Sequence, residues 1–233
     1  MSFTLPEKTV QVLKNFSQLN PSMILQSDRL EVISTHKSTI GRYVFDEPLD
    51  FSDEIGIYDS SEFLGILSFY KNPEIKNFDK YVTITEGNSK ATYFKTAKEL
   101  LPKVLVQQKF TPDDIKARLD KIGCELQFTL TAEKINMLIK MASIMKSEFV
   151  FFETDESKIR ITVGNELESS NNNWEITIDS ENITNNSLEN PVKLSVMEFK
   201  FVPSDYDVKV SSKGMSYWKS VSGIEYFIAV TTI

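Results

Sequence analysis

EIGIYDSSEFLGILSFY, Glu54 to Tyr70, changes character twice within seventeen residues. Ile55-Gly56-Ile57 reads as a short strand. Asp59 or Ser60 then offers a side-chain oxygen to the free N–H groups of a following turn, and Glu62 suits the positive end of a helix. Phe63, Leu64, Ile66, Leu67 and Phe69 give a short helix that is apolar nearly all round, the pattern of a segment buried on most sides. No side chain in it is equipped for catalysis, so its purpose is architectural.

A helix is predicted upstream. In Pro6–Gln18 the apolar residues Val12, Leu13 and Phe16, with Leu19 beyond, share one face, while Lys8, Gln11, Lys14, Asn15 and Gln18 share the other. Pro6 fits a first turn and Pro21 closes the segment. Short strand-like runs follow at Met23–Gln26, Leu30–Ser34 and Arg42–Phe45, and again at Lys80–Glu86 and Lys90–Phe94.

The same order recurs in the second half. Thr131–Met145 is an amphipathic helix with Ile135, Leu138, Ile139, Ala142 and Met145 on one face. A constant offset carries Leu13 onto Ile139, Phe16 onto Ala142, Lys8 onto Lys134, Lys14 onto Lys140, and Met23-Ile24-Leu25 onto Phe149-Val150-Phe151. Leu194–Phe201 repeats the strand, cap and short apolar helix. Strands are expected at Asp113–Ile122, Glu125–Leu130, Phe149–Glu153, Lys158–Val163, Trp174–Asp179, Tyr206–Ser211, Met215–Val221 and Glu225–Thr232. Between the halves, Thr96–Pro112 carries two prolines and the apolar clusters Leu100-Leu101 and Val104-Leu105-Val106. The predicted organisation is therefore a first domain at 1–95, a connector at 96–112 that lies along a surface and binds something, and a second domain at 113–233.

Bulk composition narrows the function. The 233 residues are enough for two domains of ordinary size, and 25% charged against 41% hydrophobic residues is ordinary globular usage. With one histidine, His36, and one cysteine, Cys124, no Ser–His–Asp set, Cys–His pair, His/Cys metal cluster or intrachain disulfide is available. Asp46, Glu47, Asp50, Asp53 and Glu54 form an acidic run without calcium-loop spacing or its bend glycine, so it reads as a solvated loop. No glycine-rich phosphate loop is present. The reading is a non-enzyme without metal or cofactor. The N-terminus lacks a signal-peptide pattern and no apolar run reaches membrane length, so a location in the cytoplasm is expected.

Charge is segregated. The two long helices carry Lys8, Lys14, Lys134, Lys140 and Lys146 against Glu7 and Glu133, in a chain of net charge −7. Two equivalent helices presenting lysine to one space make a sequence-independent phosphate surface, and the acidic remainder repels DNA elsewhere.

The segments DFSDEIGIYDSSEFLGILSFY (Asp50–Tyr70), TVQVLKNFSQLN (Thr9–Asn20) and VMEFKFVPSDYDVKV (Val196–Val210), with the order of elements, resemble the DNA polymerase sliding clamps of T-even-type bacteriophages. That resemblance implies an α+β DNA clamp fold: two similar domains, each with two helices packed on antiparallel sheets. It implies a homotrimeric ring around duplex DNA that tethers the polymerase and is loaded by an ATP-dependent clamp loader, in the cytoplasm of the host cell. Lys8, Lys14, Lys134, Lys140 and Lys146 would face DNA. A partner tail would dock in an apolar pocket, for which the connector and last strand offer Val104, Leu105, Phe227 and Ala229. The rivals are a phage structural or assembly protein, which needs no basic helices, and a single-strand binder, which needs exposed aromatics beside basic residues.

Overall fold

The computed structural model describes residues 2–102, 111–167 and 172–233. The chain divides into two compact units, Met1–Lys109 and Phe110–Ile233.

In the first unit, β1 (Ser2–Phe3) leads into α1 (Glu7–Phe16). Next come β2 (Met23–Leu25), β3 (Arg29–Ile33), β4 (Thr39–Val44) and β5 (Ile55–Ile57). α2 (Ser60–Ser68) is followed by β6 (Glu74–Asn77), β7 (Tyr81–Glu86) and β8 (Ser89–Phe94). The strands pair antiparallel in the orders β1-β6-β7-β8 and β4-β3-β2-β5. α1 turns Thr9, Val12, Leu13 and Phe16 inward, as its period requires. Asp59 caps α2, its carboxylate accepting the Ser61 N–H at 2.9 Å. α2 lies on α1 and seats Phe63 against Tyr93 with ring centroids 5.1 Å apart. Burial is narrower than the sequence suggested. Only Ser60, Phe63 and Leu67 are fully buried, and Phe69 is 88% exposed.

The second unit opens on a helix, where the sequence pointed to a strand: α3 spans Pro112–Ile122. Thr111 and Asp114 form a reciprocal capping box, with Pro112 at the first helical position. The capping box, Pro112 and the acidic first turn of Asp113 and Asp114 outweigh a low apolar content. β9 (Leu126–Leu130) and α4 (Ala132–Met145) follow, then β10 (Phe149–Asp155), β11 (Lys158–Gly164), β12 (Trp174–Ile178), β13 (Ile183–Asn186) and β14 (Val192–Ser195). β15 (Tyr206–Ser211), β16 (Met215–Ser220), β17 (Ile224–Ala229) and β18 (Thr231–Thr232) complete it. Thr131 caps α4, and its hydroxyl accepts the Lys134 N–H.

The strand orders are β12-β11-β10-β14-β18 and β13-β9-β15-β16-β17. The internal repeat is thus one of topology. β1-β6-β7-β8 corresponds to β9-β15-β16-β17, and β4-β3-β2-β5 to β12-β11-β10-β14. The second unit adds α3, β13 and β18, and after its β14 the predicted short helix is a single 3-10 turn, Val196–Glu198, capped by Ser195.

The second core is aromatic. Trp218 contacts Phe152, Phe199 and Phe201. The buried Tyr206 donates its hydroxyl to the Val202 carbonyl at 2.7 Å, and the Tyr226 hydroxyl accepts the Val202 N–H at 3.1 Å. Burial pushes both phenols above their ordinary ionisation range, so they stay neutral hydrogen-bonding groups.

Candidate functional site

The lysines of the two long helices fall into matched pairs. Lys8 and Lys134 are half-buried; Lys14 and Lys140 are exposed. Lys8 is held on its own unit, with Nζ 3.7 Å from Asp46 Oδ2 and 4.8 Å above the Tyr43 ring. Lys14 lies in the last turn of α1, where a cation complements the helix dipole. Lys146 terminates α4 in the left-handed region at φ 54°, and its side chain is exposed. Neither Lys14 nor Lys140 forms an ion pair among the described residues, so each can exchange counterions with an incoming phosphate.

Among the strands at the sheet margins are β8 and β12. β8 closes the β1-β6-β7-β8 sheet and β12 closes its own sheet, and neither has a hydrogen-bonded neighbour on its outer side among the described residues. Both units also expose apolar side chains. Phe94 of β8 is 71% exposed, and Phe69 stands just beyond α2. Along β12, Trp174, Ile176 and Ile178 alternate onto one side, but only Ile178 is buried. α4 leaves Met137 and Ile144 open on one flank, the latter 63% exposed. Unpaired backbone groups at an edge strand beside incompletely buried apolar side chains favour association.

The predicted docking residues fall in two parts of the chain, the connector and β17. Val104 and Leu105 lie outside the described residues. Phe227 and Ala229 do share one side of β17. Ala229 is exposed, but Phe227 is only 4% exposed and packs on Tyr217 with ring centroids 5.1 Å apart. α3 is anchored on that side. Lys116 Nζ reaches Glu225 Oε1 at 3.1 Å and lies 5.2 Å from the Tyr217 ring centroid. At the far end of α3, Lys213 Nζ donates to the Ile122 carbonyl at 3.3 Å. The capping box Thr111…Asp114, Pro112 and the spacing of Ile115, Leu119 and Ile122 were the sequence signals for this helix.

In the first unit the start of the connector is fastened to the sheet. Leu101 packs with Ile24, Ile33 and Ile40, and the Thr96 N–H donates to the Gly56 carbonyl at 2.9 Å. Gly56 is required there, because a Cβ would stand 2.2 Å from the Thr96 carbonyl oxygen. Beside this junction is a groove of about 800 Å³, lined by Phe94, Leu100, Lys98, Glu54 and Asp79 among others. No group of three or more His, Cys, Asp or Glu side chains among the described residues could hold a metal.

No protein-family model matches the chain. It is 25% identical over 232 residues to the sliding clamp of Vibrio phage KVP40, covering 98% of this chain and 99% of that one. Among solved structures, it superposes on a chain of the PCNA2–PCNA3 complex from Sulfolobus tokodaii with a TM-score of 0.70 and 10% identity, covering 99% of both chains. A second match, A. fulgidus PCNA with the C-terminal region of FEN-1 bound, has a TM-score of 0.69 and 12% identity over 100% of this chain and 98% of that one. The resemblance expected from Asp50–Tyr70 is thus found along the whole chain, and the fold is the sliding-clamp fold.

Proposed function

We propose that this chain is a non-catalytic DNA polymerase processivity factor, three copies of which close head to tail into a ring around duplex DNA. The observation that carries this reading is that β8 of one unit and β12 of the other are edge strands in units that also expose apolar side chains. Two different surfaces meeting head to tail make a heterologous contact, and such a contact gives a closed ring when its rotation closes. Phe69 and Phe94 on one side, and Met137, Ile144, Trp174 and Ile176 on the other, supply apolar surface for that joint. The similarity to a phage sliding clamp supports the same reading.

In this arrangement α1 and α4 line the hole, and Lys8, Lys14, Lys134, Lys140 and Lys146 attract phosphates without reading sequence. The attraction is screened and mobile, so the ring slides. Enclosure, rather than affinity, prevents its loss. A polymerase tail docked on the outer surface gains effective concentration at the primer end. Opening the ring falls to an ATP-dependent clamp loader, since the sequence has no phosphate-binding loop of its own.

The test is the mass in solution across dilution, by light scattering. A species of three times 26.7 kDa is expected. A monomer at every concentration removes the ring.

A further inference from the structure

Among the differences between the two units, one falls where the first carries a helix. In the first, the chain leaves β5, is capped by Asp59, and runs through the nine-residue helix α2. In the second, it leaves β14, is capped by Ser195, and makes only the three-residue turn Val196–Glu198 before the loop to β15. Between this turn and the last turns of α4 is a cleft of about 750 Å³. Its lining includes Ile139, Ala142, Phe149, Val196, Met197 and Phe199. Ala142 and Phe199 are buried, whereas Met197 is 59% exposed. Lys146 and Lys200 also line it, against one acidic residue, Glu148.

We propose that this cleft binds an amphipathic helix of a partner protein, acidic in its first turn. The shape argument comes from the molecule itself. At the equivalent point in the chain the first unit has α2, whose Phe63 and Leu67, one turn apart, are buried, and whose start carries Asp59 and Glu62. The chemical argument comes from the lining. An apolar floor gains free energy from covering by apolar side chains, not by the phosphates and sugars of a nucleic acid. The two lysines favour a negatively charged helix start, where the dipole of the incoming helix also accepts carboxylates. This assignment goes beyond the processivity reading; because Lys146 also belongs to the proposed DNA-facing set, the helix and duplex DNA compete for this end of α4.

The probe is a synthetic peptide with the sequence of residues 58–70, stapled between positions 61 and 65, both of which are exposed in α2. It is titrated into full-length protein labelled at methionine and isoleucine methyls. Saturable shifts at Met197 and Ile139 are expected, with Ile24 and Ile75 of the first unit unmoved. Met197→Asp, at a position exposed enough to spare the fold, should abolish the shifts. Lys146→Glu with Lys200→Glu should weaken binding by about tenfold. Absence of shifts at millimolar peptide, shifts indifferent to these variants, shifts centred on the first unit, or Met197 responding to duplex DNA instead of the peptide would each overturn the proposal.

Discussion

Lys116 Nζ lies 3.1 Å from Glu225 Oε1, across 109 residues of sequence. The Tyr217 hydroxyl donates to the same carboxylate, and the Lys116 ammonium stands over the Tyr217 ring. This clasp fastens α3 to the side of β17 that carries Phe227. The Glu225 side chain is 8% exposed and that of Lys116 is 40% exposed, so the pair is half-screened. Glu225→Ala should destabilise the second unit by about 1–2 kcal/mol. It should also accelerate amide exchange through α3 while sparing the first unit. Urea titration and hydrogen exchange measure both.

Phe69 is open in the isolated chain, so its replacement should leave the subunit folded. Phe69→Glu places a charge in the proposed joint between subunits. The midpoint of association should rise by about tenfold or more, since a buried unpaired charge is costly. Sedimentation across a dilution series reads that shift, with circular dichroism unchanged.

Lys14→Glu combined with Lys140→Glu reverses charge at two exposed, equivalent helix positions. The assembly mass should be unaffected. Loading onto circular duplex should fall, and its salt dependence should flatten as phosphate contacts are lost. Unchanged loading would refute the assignment of these lysines to DNA.

Gly41 sits on β4 beneath α1, and a Cβ there would stand 2.8 Å from Phe16 Cε1 and 3.2 Å from Val32 Cγ1. Phe16 is fully buried and cannot swing aside cheaply. Gly41→Ala should therefore cost about 1–3 kcal/mol by overpacking, seen as a lowered midpoint in thermal unfolding.

Glu86 accepts the backbone N–H groups of Asn72 at 2.7 Å and Lys71 at 3.1 Å. These bonds, Asn72 first and Lys71 second, hold its carboxyl below the ordinary value of 4.5. A depressed folded value means stability that is present above 4.5 and lost as pH falls through the folded value. Glu86→Gln should flatten the decline of stability with acidification below about pH 5. A slope identical to that of the unsubstituted protein would count against the two N–H bonds.

Much of the fold was legible because it is local. Asp59 and Thr131 announced helices by capping, the period of Val12, Leu13 and Phe16 defined the buried side of α1, and the repeat survived as strand order. β6 and β13 escaped, since four-residue strands carry too few side chains for an alternation to stand out. The short helix expected within Leu194–Phe201 is instead a single turn: the Ser195 cap is present, but the chain turns away after Glu198 to bring Phe199 and Phe201 onto Trp218.

Taken alone, the sequence determined where α1, α2 and α4 start, which side of α1 turns inward, that two halves share one plan, and that one histidine and one cysteine leave no Ser–His–Asp or Cys–His set. These follow from neighbours a few residues apart. Tertiary structure decided which apolar residues remain open and which charges are engaged. Phe69, Phe94 and Met197 look like core residues in sequence, yet stand in solvent, while Phe227 is covered. Lys8 is engaged by Asp46 and Lys116 by Glu225, while Lys14 and Lys140 are left to solvent. Burial and pairing depend on what distant parts of the chain bring alongside, and no local pattern encodes that.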